Sequence, residues 1–158
     1  SGNTETQVFG PGALSYLSMV LDIFGNPVIA YMHDLGGSTQ LAVIHCRASD
    51  CTTSNSNYTV SSAGSAGYYP SLVLDADGFP VIAHQDQSGD GSVLVTFCGD
   101  IACSSGYDTI WAGSSGFYPS LVLDVSGHPI ISYYDHVNMD LRLAALWLGR
   151  EEFPAPES

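Results

Sequence analysis

Residues 71–84 read SLVLDADGFPVIAH, which is an apolar run, a turn and a second apolar run. Both runs are short and rich in Val, Ile and Leu, as β-strands are. Between them, Asp75 can accept backbone hydrogen bonds from residues further along the chain, and Gly78 tolerates a positive φ. Pro80 stands at the entry to the second run, where a missing N–H does least harm. The stretch therefore predicts two antiparallel strands, a and b, joined by a tight turn.

This stretch occurs three times. Residues 18–31 read SMVLDIFGNPVIAY and residues 120–133 read SLVLDVSGHPIISY. The turn residues of the three copies are Asp22, Gly25 and Pro27; Asp75, Gly78 and Pro80; and Asp124, Gly127 and Pro129. The aspartates are 75 − 22 = 53 and 124 − 75 = 49 residues apart, and a period near 50 is typical of propellers and related arrays. A turn role explains these aspartates better than a catalytic role or a calcium loop, because only the DADG copy resembles a calcium loop.

Each unit has room for four strands. In the second unit, we expect strands a to d at residues 70–74, 81–85, 92–98 and 109–112. Four antiparallel strands in about 50 residues make one propeller blade, so the predicted fold class is all-β with three blades per chain. The predicted blades cover about 16–60, 69–112 and 118–147 of a half-propeller at residues 1–148, and a polar tail follows at 149–158.

The four cysteines form two copies of a C-x4-C pattern, Cys46 with Cys51 and Cys98 with Cys103. Zinc knuckles would have C-x-x-C spacing or additional histidines, so two local disulfides are favoured over a zinc site or free thiols. Disulfides of this kind indicate an oxidising compartment, and we expect a secreted or periplasmic protein.

The charge balance excludes several classes of partner. Three arginines and no lysine stand against 16 acidic residues, which gives a formal net charge of −13. Nucleic acids and anionic membrane surfaces bind clustered Lys and Arg, so neither is expected as a partner. No run of 18 or more apolar residues is present, so no membrane-spanning helix is expected. No cofactor is predicted.

Units of the form YPSLVLDxxGxPxISYYD, followed by a strand that ends in a C-x4-C hairpin, resemble the blades of secreted bacterial and metagenomic β-propeller repeat proteins. The resemblance extends over roughly residues 4–147. It implies blade architecture and six-bladed arrays, in which such repeats are common, and it implies no catalytic residue.

The third unit lacks a strand d, whereas residues 4–8 precede the first strand a at the distance of a strand d. Because about four to eight blades are needed to close a ring, three blades cannot close one alone. We therefore expect a homodimer of six blades, in which residues 4–8 of each chain complete blade three of its partner. The alternative is that the chain is a piece of a longer propeller.

Strand order predicts two faces. The a–b turns and the disulfide hairpins lie on one face, and the b–c and d–a loops lie on the other, where propellers usually bind ligands. Residues expected on this second face, as candidates for ligand binding, are Asp34, Asp86 and Asp135 at strand b ends, Tyr16, Tyr69 and Tyr118 near strand a starts, and His84 and His136.

Each of these groups has a structural alternative. The aspartates are favoured as caps of their own b–c loops over a ring of acceptors for sugar hydroxyls, a cation or a metal. The rings suit carbohydrate, since apolar rings beside polar acceptors are usual in such sites, but core packing is favoured for at least one ring per unit. The histidines differ in register between units, so scattered side chains are favoured over a metal site, and no metal is predicted.

The sequence thus favours a non-enzymatic binding module that is lectin-like, with repeated sites on one face of the ring. A scaffold that binds a basic protein is an alternative, given the acidic surface. A propeller-type glycoside hydrolase or lyase is less favoured, because no unit departs from the repeat by a conspicuous catalytic carboxylate, and whether the protein is an enzyme stays open.

Overall fold

The computed structural model describes residues 5–8, 13–52, 55–61, 65–89 and 91–147. In this part of the chain all regular structure is β, which confirms the predicted all-β class. Three antiparallel sheets follow one another along the chain, each with its strands in sequence order, and we call them blades one to three. Blade one contains β1 (Ala13–Leu21), β2 (Pro27–Asp34), β3 (Thr39–His45) and β4 (Ser56–Ser61). Blade two contains β5 (Tyr68–Leu74), β6 (Pro80–Asp86), β7 (Ser92–Phe97) and β8 (Asp108–Ser114). Blade three contains β9 (Gly116–Leu123), β10 (Pro129–Asp135) and β11 (Asp140–Ala145).

The a–b turns form through the aspartate that each repeat carries. In blade one, a carboxylate oxygen of Asp22 accepts the backbone N–H groups of Phe24 and Asn26 at 2.9 and 2.8 Å, and Gly25 has a φ of 80°. Blades two and three repeat this geometry at Asp75 and Asp124. A carboxylate that accepts two backbone N–H groups joins both sides of the turn, so these side chains are occupied with structure.

Both faces of the central blade are buried. Along β6, Ile82 and His84 face blade one, whereas Val81 and Ala83 pack with Ile131 of blade three. Because successive side chains of a strand point to opposite faces, a continuous apolar run is required where both faces are covered. The core therefore consists of the layers between consecutive blades.

Two disulfides connect Cys46 to Cys51 and Cys98 to Cys103, as predicted. Both lie in the connection between the third and fourth strands of their blades. The second one packs into the layer between blades one and two, in the same cluster as Leu41 of blade one. The disulfide hairpin therefore contributes apolar surface to the contact with the preceding blade.

In blades one and two, a serine on the innermost strand links the blade to the next one. The Ser18 hydroxyl accepts the backbone N–H of Leu72 at 3.0 Å, and the Ser71 hydroxyl accepts that of Leu121 at 3.0 Å. Ser120 holds the same position in blade three and is exposed. The repeated serine thus sets the register between neighbouring inner strands.

The outer face of blade three has no cover among the described residues. On the edge strand β11, Leu141 and Leu143 are 79% and 72% exposed. By strand pairing, they correspond to Leu41 and Val43 in blade one, which are both 0% exposed. The same side chains that fill an inter-blade layer elsewhere are thus open at this end.

Residues 5–8 lie against the other end of the array, although they form no described strand. Val8 packs on the blade-one cluster that contains Cys46 and Cys51. In the same way, Val60 of β4 packs on Cys98 and Cys103 of blade two. Val8 therefore takes the place, relative to blade one, that a fourth strand of a preceding blade would take.

The blades begin slightly earlier in the chain than the sequence predicts. Blades one to three begin at residues 13, 68 and 116, which is one to three residues before the predicted starts, because the strands continue into the loop face. Residue 4 and residues 149–158, predicted as part of the exchanged strand and as the polar tail, lie outside the described residues.

Removal of the inter-blade hydrogen bond tests this packing. We expect Ser71→Ala to lower the free energy of unfolding by about 1 kcal/mol, because the N–H of Leu121 loses its acceptor. Urea denaturation measures the change. Ser126→Ala, on the exposed a–b turn of blade three, is the control and should have almost no effect; equal effects of the two substitutions would contradict the role of Ser71.

Candidate functional site

The b–c loops and the d–a connections meet on one face, as the strand order predicts. Backbone hydrogen bonds join them: the N–H of Gln87 donates to Ser65 at 2.9 Å, and that of Ser115 donates to Gly91 at 2.7 Å. We call this side the loop face. The a–b turns and disulfide hairpins lie at the opposite ends of the strands.

The aspartates at the ends of the second strands cap their own loops. A carboxylate oxygen of Asp34 accepts the N–H of Gly36 at 2.8 Å, and one of Asp86 accepts the N–H of Ser88 at 2.8 Å. Asp135 is bonded more extensively, and the side-chain and backbone N–H groups of Asn138 hold its pKa below the ordinary value. All three carboxylates are thus used within their loops, and ligand binding by them stays a prediction.

The three tyrosines come together on the inner strands. The ring centroids of Tyr16 and Tyr69 are 4.2 Å apart and those of Tyr69 and Tyr118 are 4.5 Å apart. The hydroxyls of Tyr16 and Tyr69 are within 3.5 Å. Hydrogen bonding with Tyr16, together with burial, raises the pKa of Tyr69, so this phenol stays neutral at ordinary pH. We call these three residues the tyrosine row.

The backbone of the tyrosine row is strained. The φ angles of Tyr16, Tyr69 and Tyr118 are 53°, 49° and 56°, in the left-handed region that side-chain-bearing residues seldom adopt. Each tyrosine lies where the pairing with the second strand shifts register, as in a β-bulge. Such conformations cost about 1–3 kcal/mol and are concentrated at functional sites, and here one is repeated in every blade.

His84, unlike the tyrosines, is not on the loop face. It is 0% exposed between blades one and two, with Nε2 3.1 Å from the Thr96 hydroxyl and Nδ1 as the acceptor of the Gly67 N–H at 3.4 Å. Burial lowers its pKa to about 4. The structure therefore gives His84 a packing role and separates it from the other candidates.

A pocket that the sequence did not indicate lies between blades two and three on the loop face. It has a volume of about 220 Å³. We call it the inter-blade pocket, and its lining residues are Gln85, Gln87, Gly89, Gly91, Phe117 and His136. It brings His136, one of the predicted site residues, beside the aromatic ring that precedes Tyr118.

The floor of the inter-blade pocket contains an unpaired amide. Gln85 is 0% exposed, and neither its Nε2 nor its Oε1 has a hydrogen-bond partner among the described residues. Leaving a buried polar group unpaired costs about 1–3 kcal/mol. The signal in the sequence is the departure from the repeat, because Met32 and Tyr134 stand at this position in the other blades.

The described residues contain neither a metal-ligand cluster nor a membrane-spanning helix. No group of three His, Cys, Asp or Glu side chains is arranged to hold a metal ion there. Nor do those residues include a helix that is long and apolar enough to cross a membrane.

Comparison with known proteins gives a fold relationship. No family model matches the chain, and no curated protein matches it. The crystal structure of an endo-arabinase from Bacteroides thetaiotaomicron is similar to it, with a TM-score of 0.59 and 14% sequence identity. The match covers 90% of this chain and 59% of the arabinase chain, so this chain spans about three fifths of that structure. At this identity the similarity shows a shared propeller-like, all-β fold.

The buried histidine predicts a pH dependence of stability. Unfolded, His84 takes up a proton near its ordinary pKa of 6.5, whereas the folded protein resists protonation down to about pH 4. The unfolded state binds more protons in this window, so stability falls as the pH falls from 6.5 to 4. We expect His84→Gln to lose less stability than the wild type between pH 7 and pH 4.5, by on the order of 1–3 kcal/mol.

Urea denaturation at the two pH values measures this difference. All other titratable groups are the same in both proteins, so the difference between them reports on His84 and its surroundings. An identical loss in wild type and variant would contradict a neutral, buried imidazole.

Proposed function

We propose that this chain is a secreted module that binds carbohydrate with its loop face. Two copies of the chain would form a six-bladed ring. The two disulfides are consistent with an oxidising compartment outside the cytoplasm. The observation that carries the two-copy ring is the pair of complementary open faces at the ends of the three-blade array. Carbohydrate binding is supported by the aromatic and polar side chains that meet on the loop face. The ring brings the loop faces of both copies to one side.

The open face of blade three matches the open face of blade one. Leu141 and Leu143 project from one end, and Met19 and Leu17 are exposed at the other. These are the positions that the layers between blades one, two and three bury. An exposed apolar face on an edge strand is unfavourable in water. A second copy would cover both open faces with the same kind of contact that joins blade one to blade two and blade two to blade three.

Residues 5–8 support the same arrangement. Val8 rests on blade one as Val60 rests on blade two, and this similarity supports pairing of the segment with β11 of a second copy. The exposed Ser120 is likewise in register to accept the N–H of Met19 in that copy, as Ser71 accepts that of Leu121.

The tyrosine row is consistent with six blades. The planes of neighbouring rings make angles of 51° and 66°. Both values are close to 60°, which is the angle that a six-fold rotation would give to rings whose planes are parallel to its axis. In a regular hexagon, the distance from centre to corner equals the side. The six ring centroids would then lie about 4–5 Å from the axis, given neighbours 4.2 and 4.5 Å apart.

This geometry directs carbohydrate away from the axis. Each ring occupies half of a carbon contact distance of about 3.5–4.0 Å on the side that faces the axis. Subtracting this from the distance between the axis and the centroids leaves an open channel with a radius below about 3 Å. A sugar ring does not fit through such an opening. The binding sites we propose therefore lie around the mouth of the ring, on the loops that surround the tyrosine row.

Binding without hydrolysis is favoured by the state of the carboxylates. Glycoside hydrolysis needs a carboxylic acid with a raised pKa near a second carboxylate. On the loop face, Asp135 has a lowered pKa, and Asp34 and Asp86 cap loops. The protein with the similar fold is named an endo-arabinase, and arabinan oligosaccharides are accordingly the first ligands to test.

The ring is tested by mass in solution. We expect light scattering after size-exclusion chromatography to give two chains of 16.7 kDa, 2 × 16.7 = 33.4 kDa. Leu143→Asp should reduce the mass to one chain, because it introduces a charge into the apolar seam. Val125→Asp, on a fully exposed turn of the same blade, should leave the dimer intact. A wild-type mass of 16.7 kDa would contradict the ring.

The function is tested by calorimetric titration of the wild type with arabinan oligosaccharides and a panel of neutral glycans. We expect weak binding, with a Kd between micromolar and millimolar, and no reducing ends released on prolonged incubation. Release of reducing ends would favour an enzyme, and the absence of binding to any saccharide would contradict the proposed function.

A further inference from the structure

We infer that the inter-blade pocket binds one neutral, polyhydroxylated unit through the side-chain amide of Gln85. The inference rests on the proposed function and gives it a location, a stoichiometry and a ligand chemistry. It differs from the repeated sites that the sequence suggests, because one pocket of this kind exists in the described part of each chain.

The amide is the first argument. Its Nε2 is a donor and its Oε1 an acceptor, both buried and both unpaired. A hydroxyl group can donate and accept, so two adjacent hydroxyls of one ligand can satisfy the two amide atoms together. None of the six lining residues in the described part of the chain is acidic, arginine or lysine, which favours a neutral ligand over a charged one.

Gly91 is the second argument. It lies over the amide with a φ of +80°, and a Cβ there would be 3.2 Å from Nε2 of Gln85. Because glycine has no side chain, only the backbone of Gly91 lies over the amide of Gln85. A ligand hydroxyl therefore reaches Gln85 by a small displacement of Gly91, which a larger residue would obstruct.

His136 and Phe117 complete the wall on the side of blade three. Nδ1 of His136 is 2.9 Å from the Ser115 carbonyl, and since a carbonyl only accepts, Nδ1 carries the proton. In that tautomer Nε2 is an acceptor for a third hydroxyl. The ring of Phe117 is 4.7 Å from that of His136, nearly perpendicular to it, and offers an apolar surface for C–H groups.

The size limits the ligand. A volume of about 220 Å³ is below the roughly 300–1,000 Å³ of pockets for drug-sized ligands, so one ring-sized unit fills it. A second cavity of about 300 Å³ lies between the turns of blades one and two, and its lining combines apolar side chains with charged ones, among them Asp22, Arg47 and Asp77. It offers no unpaired amide, so the inter-blade pocket is the better sugar site.

The register of the repeat explains why the pocket occurs once. At the position of Gln85, blade one has the buried Met32 and blade three has Tyr134. An apolar thioether cannot satisfy a pair of hydroxyls. A ring of two chains would thus bear two amide pockets among six interfaces, on opposite sides of the axis.

The repeat also provides the variant that tests the inference. Gln85→Met introduces the residue that blade one already buries at this position, so the variant is expected to fold with an unfolding midpoint no lower than that of the wild type. Its affinity for the saccharide that binds the wild type, titrated by calorimetry, should fall at least tenfold. Met32→Leu, at the equivalent register between blades one and two, should bind as the wild type does.

A second probe tests the inter-blade pocket independently of the proposed carbohydrate function. myo-Inositol is a neutral polyol and not a sugar, and it should compete with the saccharide in the wild type. Equal saccharide affinity in Gln85→Met and wild type would overturn the pocket and leave the carbohydrate function standing. No saccharide binding, with myo-inositol raising the unfolding midpoint of the wild type and not of Gln85→Met, would support the pocket and overturn the carbohydrate function. If neither probe binds the wild type, both are overturned.

Discussion

Two-sided packing of each sheet is the constraint on which the rest of this structure depends. Side chains alternate along a strand, so one set faces the preceding blade and the other faces the following blade. In blade two, Ile82 and Val81 are both buried for this reason, in different layers. A sheet built in this way is stable only between two neighbours, and an array of such sheets ends in open apolar faces unless it closes on itself.

The same constraint explains the distribution of polar contacts. Turn aspartates, the inter-blade serines and the loop caps all satisfy backbone groups at the edges of the layers, which leaves the layers themselves apolar. Two buried polar groups on β6 are exceptions. His84 is accommodated through Thr96 and Gly67, whereas the amide of Gln85 is not. An unpaired amide in a layer that elsewhere holds Met32 is a cost to stability without a structural return, which is the pattern expected where binding is selected.

Much of the fold follows from local sequence. The repeat of Asp, Gly and Pro predicts the turns, the spacing of the cysteines predicts the local disulfides, and the short β-branched runs predict the strands within a few residues. Each depends on interactions between residues close in the chain, such as Asp75 with the N–H of Phe79. Of the candidate residues, Tyr16, Tyr69, Tyr118 and His136 are located on the loop face as predicted, whereas His84 is buried and Gln85 was not anticipated.

By itself, the sequence determined three repeated units, their β character, their turns and their disulfides, because these are set by the local preferences of the chain. Only the tertiary structure decided which of two buried faces each side chain joins. Where both faces of a strand are covered, the apolar pattern is continuous and carries no sign of direction. That is why His84 could be placed on the loop face from its position at a strand end, and why the unpaired amide of Gln85 became visible only once blade three was packed against blade two.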